Sequence, residues 1–243
     1  MPTAVRPSSV KATVARLEQQ LAEQGTPARA ASAKAYLKSD LEFLGADIPS
    51  VRRVAVAFTK EEPEMDHLRL LAIATALWKP PVFELRALAV ALLERKQKLL
   101  AAADLDALEK MTREAKTWAL SDWLAIHVVG AIVRREPSEL RRLDRWAKDD
   151  DFWVRRLALI CQRVDFAKGE GDWPGFVRRA DAMLAEKEFF VRKAIGWMLR
   201  ERSKLRPEEV VAFVGPRKER MAGLTFREAT RNLADGHRVA LGL

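Results

Sequence analysis

The chain has 243 residues, about half of them apolar, with 43 Lys and Arg against 34 Asp and Glu, giving a net charge of +9 and an isoelectric point near 9.9. That length and apolar content allow a sizeable core and exclude wholesale disorder, while the charge points to polyanionic partners, nucleic acid before acidic membrane. The one cysteine, Cys161 in the apolar run LALIC, excludes a disulfide framework and a cysteine metal site, and His67, His127 and His237 lack ligand spacing. No metal and no cofactor is expected.

Residues 1–9 are expected to be disordered. The opening stretch MPTAVRPSSVKATVARLEQ has no apolar core of a secretory signal, and no run approaches a membrane span. The expectation is a soluble protein in a reducing cytoplasm. Alternating strand patterns and hairpin turns are essentially absent, the one Asp-Gly pair being Asp235-Gly236 near the end. Helical segments instead follow one another from end to end. They are separated at Thr26-Pro27, Ile48-Pro49, Pro80-Pro81, Asp104, Glu136-Pro137, Asp149 to Asp151, Gly171 to Pro174 and Arg206-Pro207. Pro just inside a helix start and Asp at an N-cap are the usual chemistry of such breaks.

The segments repeat. The stretches 83-FELRALAVALLER, 118-WALSDWLAIHVVG, 153-WVRRLALICQRV and 190-FVRKAIGWMLRER begin 35, 35 and 37 residues apart, and IPSVRRVAVAF begins another 35 residues upstream, at Ile48. Each unit has room for two helices. The expected fold is therefore all-α: an α-solenoid of about six HEAT-like helical hairpins in a single domain, 1–243, with a basic concave groove.

Counted from those leading residues, offsets 0, 3, 4 and 7 share one helical face. Offset 0 holds Phe83, Trp118, Trp153 and Phe190; offset 3 holds Arg86, Ser121, Arg156 and Lys193; offset 4 includes Arg52 and Asp122; offset 7 adds Trp197. Equal offsets form a row across stacked helices. The row thus carries Arg52, Arg86, Arg156 and Lys193 interleaved with Trp118 and Trp197, as a nucleic-acid groove would. Aromatics at one offset equally suit a stacked core, where Trp153 and Phe190 are expected, and Asp122 among cations equally suits a structural ion pair. In 187-KEFFVRKAIGWMLRERSK-204, Phe189, Ile195 and Met198 are expected to pack inward and Lys193 and Trp197 to face the groove.

Four motifs, in order from about residue 30 to 230, give the chain a resemblance to the bacterial DNA alkylation repair family of AlkD-like HEAT-repeat glycosylases. YLKSDLEFLGADIPSVRR resembles the opening Tyr-x-Lys and FLG motif, KTWALSD the central segment with Trp four residues before Asp, DDFWVRRLALI the arginine segment and KEFFVRKAIGWMLRE the closing motif. The central segment departs from the family in lacking a tandem Trp, the next one being Trp123. The resemblance implies Trp118, Asp122 and Trp197 around the lesion nucleotide, with Tyr36, Lys38 and Arg156 on DNA beside Arg52, Arg86 and Lys193 from the repeat row. It implies a monofunctional DNA glycosylase of base excision repair, acting as a monomer on duplex DNA with cationic N-alkylpurines of the 3-methyladenine or 7-methylguanine type. The setting implied is the bacterial cytoplasm, at the nucleoid. A non-catalytic DNA-binding descendant is the alternative, and a protein–protein scaffold is a second rival. Nothing in the sequence separates DNA from RNA.

Overall fold

The structure, a computed structural model, describes residues 9–243; the disorder expected for residues 1–8 lies outside the described residues, and Ser9 caps the first helix by accepting from the Ala12 amide. The described residues form an all-α fold, with one isolated bridge between Glu42 and Val82 in place of any sheet. They divide into two compact units, one of residues 9–104 and 114–124, the other of residues 105–113 and 125–243.

The first unit contains α1 (Val10–Gln24), α2 (Pro27–Leu37), α3 (Ile48–Glu61), α4 (His67–Trp78) and α5 (Phe83–Arg95). The chain leaves it for residues 105–113 of α6 (Leu105–Glu114) and returns through α7 (Trp118–Trp123). Thr26, Asp47 and Asp66 each accept an amide hydrogen bond at the start of α2, α3 and α4, the usual chemistry of an N-cap. Helix α5 is buried from Phe83 to Leu93 because α3 and α4 both pack on it, which is what a helix apolar on every side requires.

A tight loop after α2 sets the entrance to α3. Gly45 has φ +86°, and a Cβ there would lie 2.2 Å from the Thr26 carbonyl oxygen, so only glycine fits. The amides of Leu44 and Gly45 donate to the buried carboxylate of Glu84, at 2.9 and 2.7 Å. The FLG motif is thus a backbone hook on α5, reinforced by stacking of Phe43 on Phe83 at 5.1 Å.

The second unit continues through a π-helical segment, Leu124–Val129, into α8 (Gly130–Arg135), then α9 (Leu140–Trp146), α10 (Phe152–Ile160), α11 (Arg163–Phe166), α12 (Trp173–Ala182) and α13 (Phe189–Ser203). It closes with α14 (Pro207–Val214), α15 (Gly223–Thr230) and α16 (Asp235–Ala240), so the terminal Asp-Gly pair opens a helix. Pairing of α10 with α13 and of α13 with α15 carries the core. The close approach of α15 to α13 needs Gly196, whose Cβ would otherwise sit 2.7 Å from the Thr225 carbonyl oxygen. Acid–arginine pairs join Asp106 of α6 to Arg142 of α9, Asp144 of α9 to Arg179 of α12 at 2.9 Å, and Asp181 of α12 to Arg217, in the 3-10 segment after α14, at 3.1 Å. Their separations in sequence, 36, 35 and 36 residues, are close to the repeat length. The observed starts of α3, α5, α7, α10 and α13, at 48, 83, 118, 152 and 189, match the repeat frame to within one residue.

Candidate nucleic-acid interface

In the first unit, Tyr36 stands on the last turn of α2, 73% exposed, and its ring meets that of Trp118 edge-on, with centroids 6.1 Å apart. Lys38 follows in the left-handed region with φ 49°, and Lys116, two residues before Trp118, does the same with φ 57°. Among the described residues these are the non-glycine residues with positive φ. Each costs on the order of 1–2 kcal/mol, and such strain collects at functional sites. The Ser39 hydroxyl donates to the Lys116 carbonyl at 3.1 Å, which ties the two strained turns together on either side of the Tyr36–Trp118 pair.

Thr117 caps α7, so Trp118 opens the helix, half exposed. Asp122 follows one turn later on the same face and is 9% exposed. The π-helical segment begins two residues beyond it; such widened turns are rare and concentrate at functional sites. The next tryptophan, Trp123, is buried and turned elsewhere. Its indole N–H donates to Glu94 at 2.7 Å, and the Arg52 guanidinium lies over its ring at 4.6 Å and within 3.5 Å of the same carboxylate. Arg52 keeps about half its side chain exposed, so it is a surface cation preorganised by a ring and an acid.

Arg86 corrects the sequence reading. It is 8% exposed, with its guanidinium donating to the carbonyls of Trp78 and Pro80 at 3.1 Å and of Glu114 at 2.5 Å. Burial pulls it below the ordinary arginine range. Its hydrogen bonds hold three chain segments together, and its burial keeps it from serving as a surface cation. Buried rows can repeat arginine when each one is satisfied by backbone carbonyls.

In the second unit Arg156 receives the same correction. It is 4% exposed and donates to the Phe190 carbonyl at 2.5 Å, with the rings of Phe190 and Trp197 each 5.9 Å away. It therefore braces α13 instead of reaching outward. Trp197 stays half exposed, and its indole N–H donates to Glu201 at 3.3 Å. Arg163 lies over the same ring at 5.4 Å. Lys193 is exposed, 5.8 Å from the Phe189 ring. Phe189 itself is 51% exposed, contrary to its expected place in the packing, whereas Ile195 and Met198 are buried as expected. Helix α13 starts at Phe189, so its first-turn ring stands proud while Phe190 turns toward Phe152 and Trp153. Trp153 is core; Phe190 is half covered.

The first unit thus brings together Tyr36, Lys38 and Trp118, with Asp122 a turn beyond, and sets Arg52 apart on Trp123. The second joins Arg156 to Trp197 and leaves Lys193 beside Phe189. Three residues escaped the sequence reading: Glu94, Arg163 and Glu201. Glu201 could have been found from its position four residues after Trp197; Glu94, 29 residues before its indole partner, carries no local signal. Cys161 is fully buried, its thiol pushed up to about 12 by burial. Among the described residues no group of three His, Cys, Asp or Glu could hold a metal ion, and no helix is long and apolar enough to cross a membrane.

The profile of the family described as DNA alkylation repair enzyme matches residues 17–233. A solved structure described as a predicted DNA alkylation repair enzyme from Enterococcus faecalis superposes with a TM-score of 0.79 at 25% identity, covering 87% of this chain and 98% of that one. AlkD2 from Streptococcus mutans superposes with a TM-score of 0.63 at 18% identity, over 93% of this chain and 99% of its own. The smu.31 protein of Streptococcus mutans UA159 gives 0.65 at 19%, over 93% and 100%. These last two share the fold. No curated protein matches the chain. With nearly the whole chain inside one profile and the motif residues gathered as described, the chain belongs to the DNA alkylation repair enzyme family.

Proposed function

We propose that the chain is a monofunctional DNA glycosylase of base excision repair, built from HEAT-like hairpins, that hydrolyses the N-glycosidic bond of cationic N-alkylpurines in duplex DNA. The observation that carries this reading is the carboxylate of Asp122, set one helical turn from the half-exposed ring of Trp118 and followed directly by a π-helical turn. A purine alkylated at N3 or N7 is positively charged and leaves without protonation. As its bond to C1′ breaks, positive charge moves onto the deoxyribose. The carboxylate of Asp122 stabilises that charge and orients the water that adds to C1′, giving free base, an abasic site and a proton. Trp118 and Trp197 add cation–π attraction of about 0.5–2 kcal/mol each. Tyr36, Lys38, Arg52 and Lys193 are exposed and suited to the DNA backbone. The interior Arg86 and Arg156 support the scaffold. No lysine stands out in the sequence as a Schiff-base nucleophile, so base release without strand cleavage is expected. The protein acts as a monomer at the bacterial nucleoid in this reading.

The burial of Asp122 favours a second reading, a non-catalytic DNA-binding protein in which the carboxylate is structural. The two separate on Asp122→Asn. A glycosylase loses base release while its affinity for methylated duplex stays equal or rises; under the binding-only reading neither protein releases base.

A further inference from the structure

Beneath Trp197 lies a charged cluster that the reaction above does not use. Glu201 is 4% exposed, and its carboxylate accepts from three sides: the Trp197 indole N–H at 3.3 Å, Lys204 at 2.9 Å and Arg163 at 3.5 Å. Burial acts against its ionised form, but Lys204 and Arg163 outweigh it and hold the carboxyl below the usual glutamate range. A buried carboxylate survives only with its lone pairs occupied, and here one of the occupants is the ring proposed to meet the lesion. The arginine that shares this carboxylate also lies over the ring, at 5.4 Å, and its Nε has no hydrogen-bond partner although it is buried. A guanidinium left short of one bond is held there by its other contacts, the carboxylate and the indole. Trp197 and Glu201 are four residues apart on α13, so the bond spans one rigid helical turn.

We infer that Glu201 is a positioning residue: through the indole N–H and Arg163 it fixes the ring of Trp197 in the orientation that meets a cationic base. The inference rests on the reading of Trp197 given above. A free indole on a half-exposed helix face would sample several rotamers; this one is fastened at its polar edge by Glu201 and braced over its ring by Arg163 and Arg156. Because Glu201 stays ionised throughout the neutral range, the fastening does not vary with pH in that range.

The test combines a spectroscopic signature with a double-mutant cycle. The Trp197 indole N–H resonance is assigned as the peak missing from Trp197→Phe. In Glu201→Gln, which keeps an oxygen acceptor, the resonance stays near its wild-type position; in Glu201→Leu it shifts or broadens. Single-turnover release of methylated base falls by roughly tenfold or more in Glu201→Leu and by less in Glu201→Gln, while affinity for undamaged duplex changes by less than about threefold. In the Trp197→Phe background, which has no indole N–H, Glu201→Leu produces little further loss. Additive losses, or an indole resonance indifferent to Glu201→Leu, would overturn the inference. If the wild-type protein releases no base, the glycosylase reading fails on its own, and the resonance alone decides whether Glu201 holds the ring. Should Glu201→Leu fail to fold, Glu201→Met, which keeps the side-chain length but has no strong acceptor, takes its place in both the resonance and the cycle.

Discussion

Replacing Glu84 by glutamine tests the hook that fixes the segment between Tyr36 and Arg52. The carboxylate of Glu84 is 1% exposed and accepts the Leu44 and Gly45 amides through its two oxygens, at 2.9 and 2.7 Å. Glutamine keeps one acceptor and turns an N–H₂ group toward the other amide, donor against donor. One charge-assisted hydrogen bond is lost, and one buried amide is left unpaired. At about 1.5–3 kcal/mol for a bond to a charged group, with part of the cost recovered by relaxation of the loop, the loss is about 2–4 kcal/mol. For a chain of this size each kcal/mol moves the melting temperature by about 2–4 °C, so a fall of roughly 4–16 °C is expected. Thermal unfolding followed by far-UV circular dichroism reads this directly. Glu84→Ala, which orphans both amides and opens a cavity, must fall further. Melting of Glu84→Gln within about 2 °C of wild type would refute the reasoning, because it would mean that the two amides find other acceptors at no cost.

Arg52→Ala should make the dependence of log affinity for DNA on log salt shallower by about 0.9, whereas Arg86→Ala should leave that slope unchanged and lower the melting temperature instead. A slope change in Arg86→Ala would restore it as a phosphate contact. Lys38→Gly relieves a left-handed backbone and removes an exposed cation, so it should stabilise the fold by up to about 1–2 kcal/mol in urea unfolding and weaken DNA binding in the same salt titration. Stability should also decline in acid. The Arg113 guanidinium hydrogen-bonds Asp149 and holds it below the usual carboxylate range. Glu186 is likewise lowered, because the Glu188 and Lys187 amides together with Arg155 outweigh burial. Folded values below unfolded ones mean stability that is present above about pH 4 and lost as the pH falls through the folded values. Urea unfolding at a series of acidic pH values should show that slope, and Asp149→Asn should flatten it.

Much of the fold could be read from the sequence because the signals were local. Pro and Asp at helix starts, and apolar faces recurring at a fixed interval, are properties of neighbouring residues, and five second helices begin within one residue of the repeat frame. The direction of individual side chains was less legible. Arg52, Arg86, Arg156 and Lys193 look alike in the sequence, yet two are exposed and two are buried on carbonyls, a distinction set by what the next hairpin brings against them. Phe189 and Phe190 differ by one position, and the helix start assigns one to solvent and the other to the ring cluster. The hold of Glu94 on Trp123 depends on a contact 29 residues distant, and the π-helical turn after Trp123 has no propensity signature at all. By contrast, Trp118 and Asp122 were placed by a four-residue spacing that the helix simply realises.

The central claim is tested most directly by incubating duplex DNA containing N-methylpurines with purified wild-type protein and with Asp122→Asn, and identifying the released base by mass. Free 7-methylguanine or 3-methyladenine from the wild type, its loss in Asp122→Asn and retained DNA binding by both are the predicted results. No base released by either protein, with tight and salt-sensitive binding intact, would contradict the glycosylase account and leave a DNA-binding protein whose aspartate is structural.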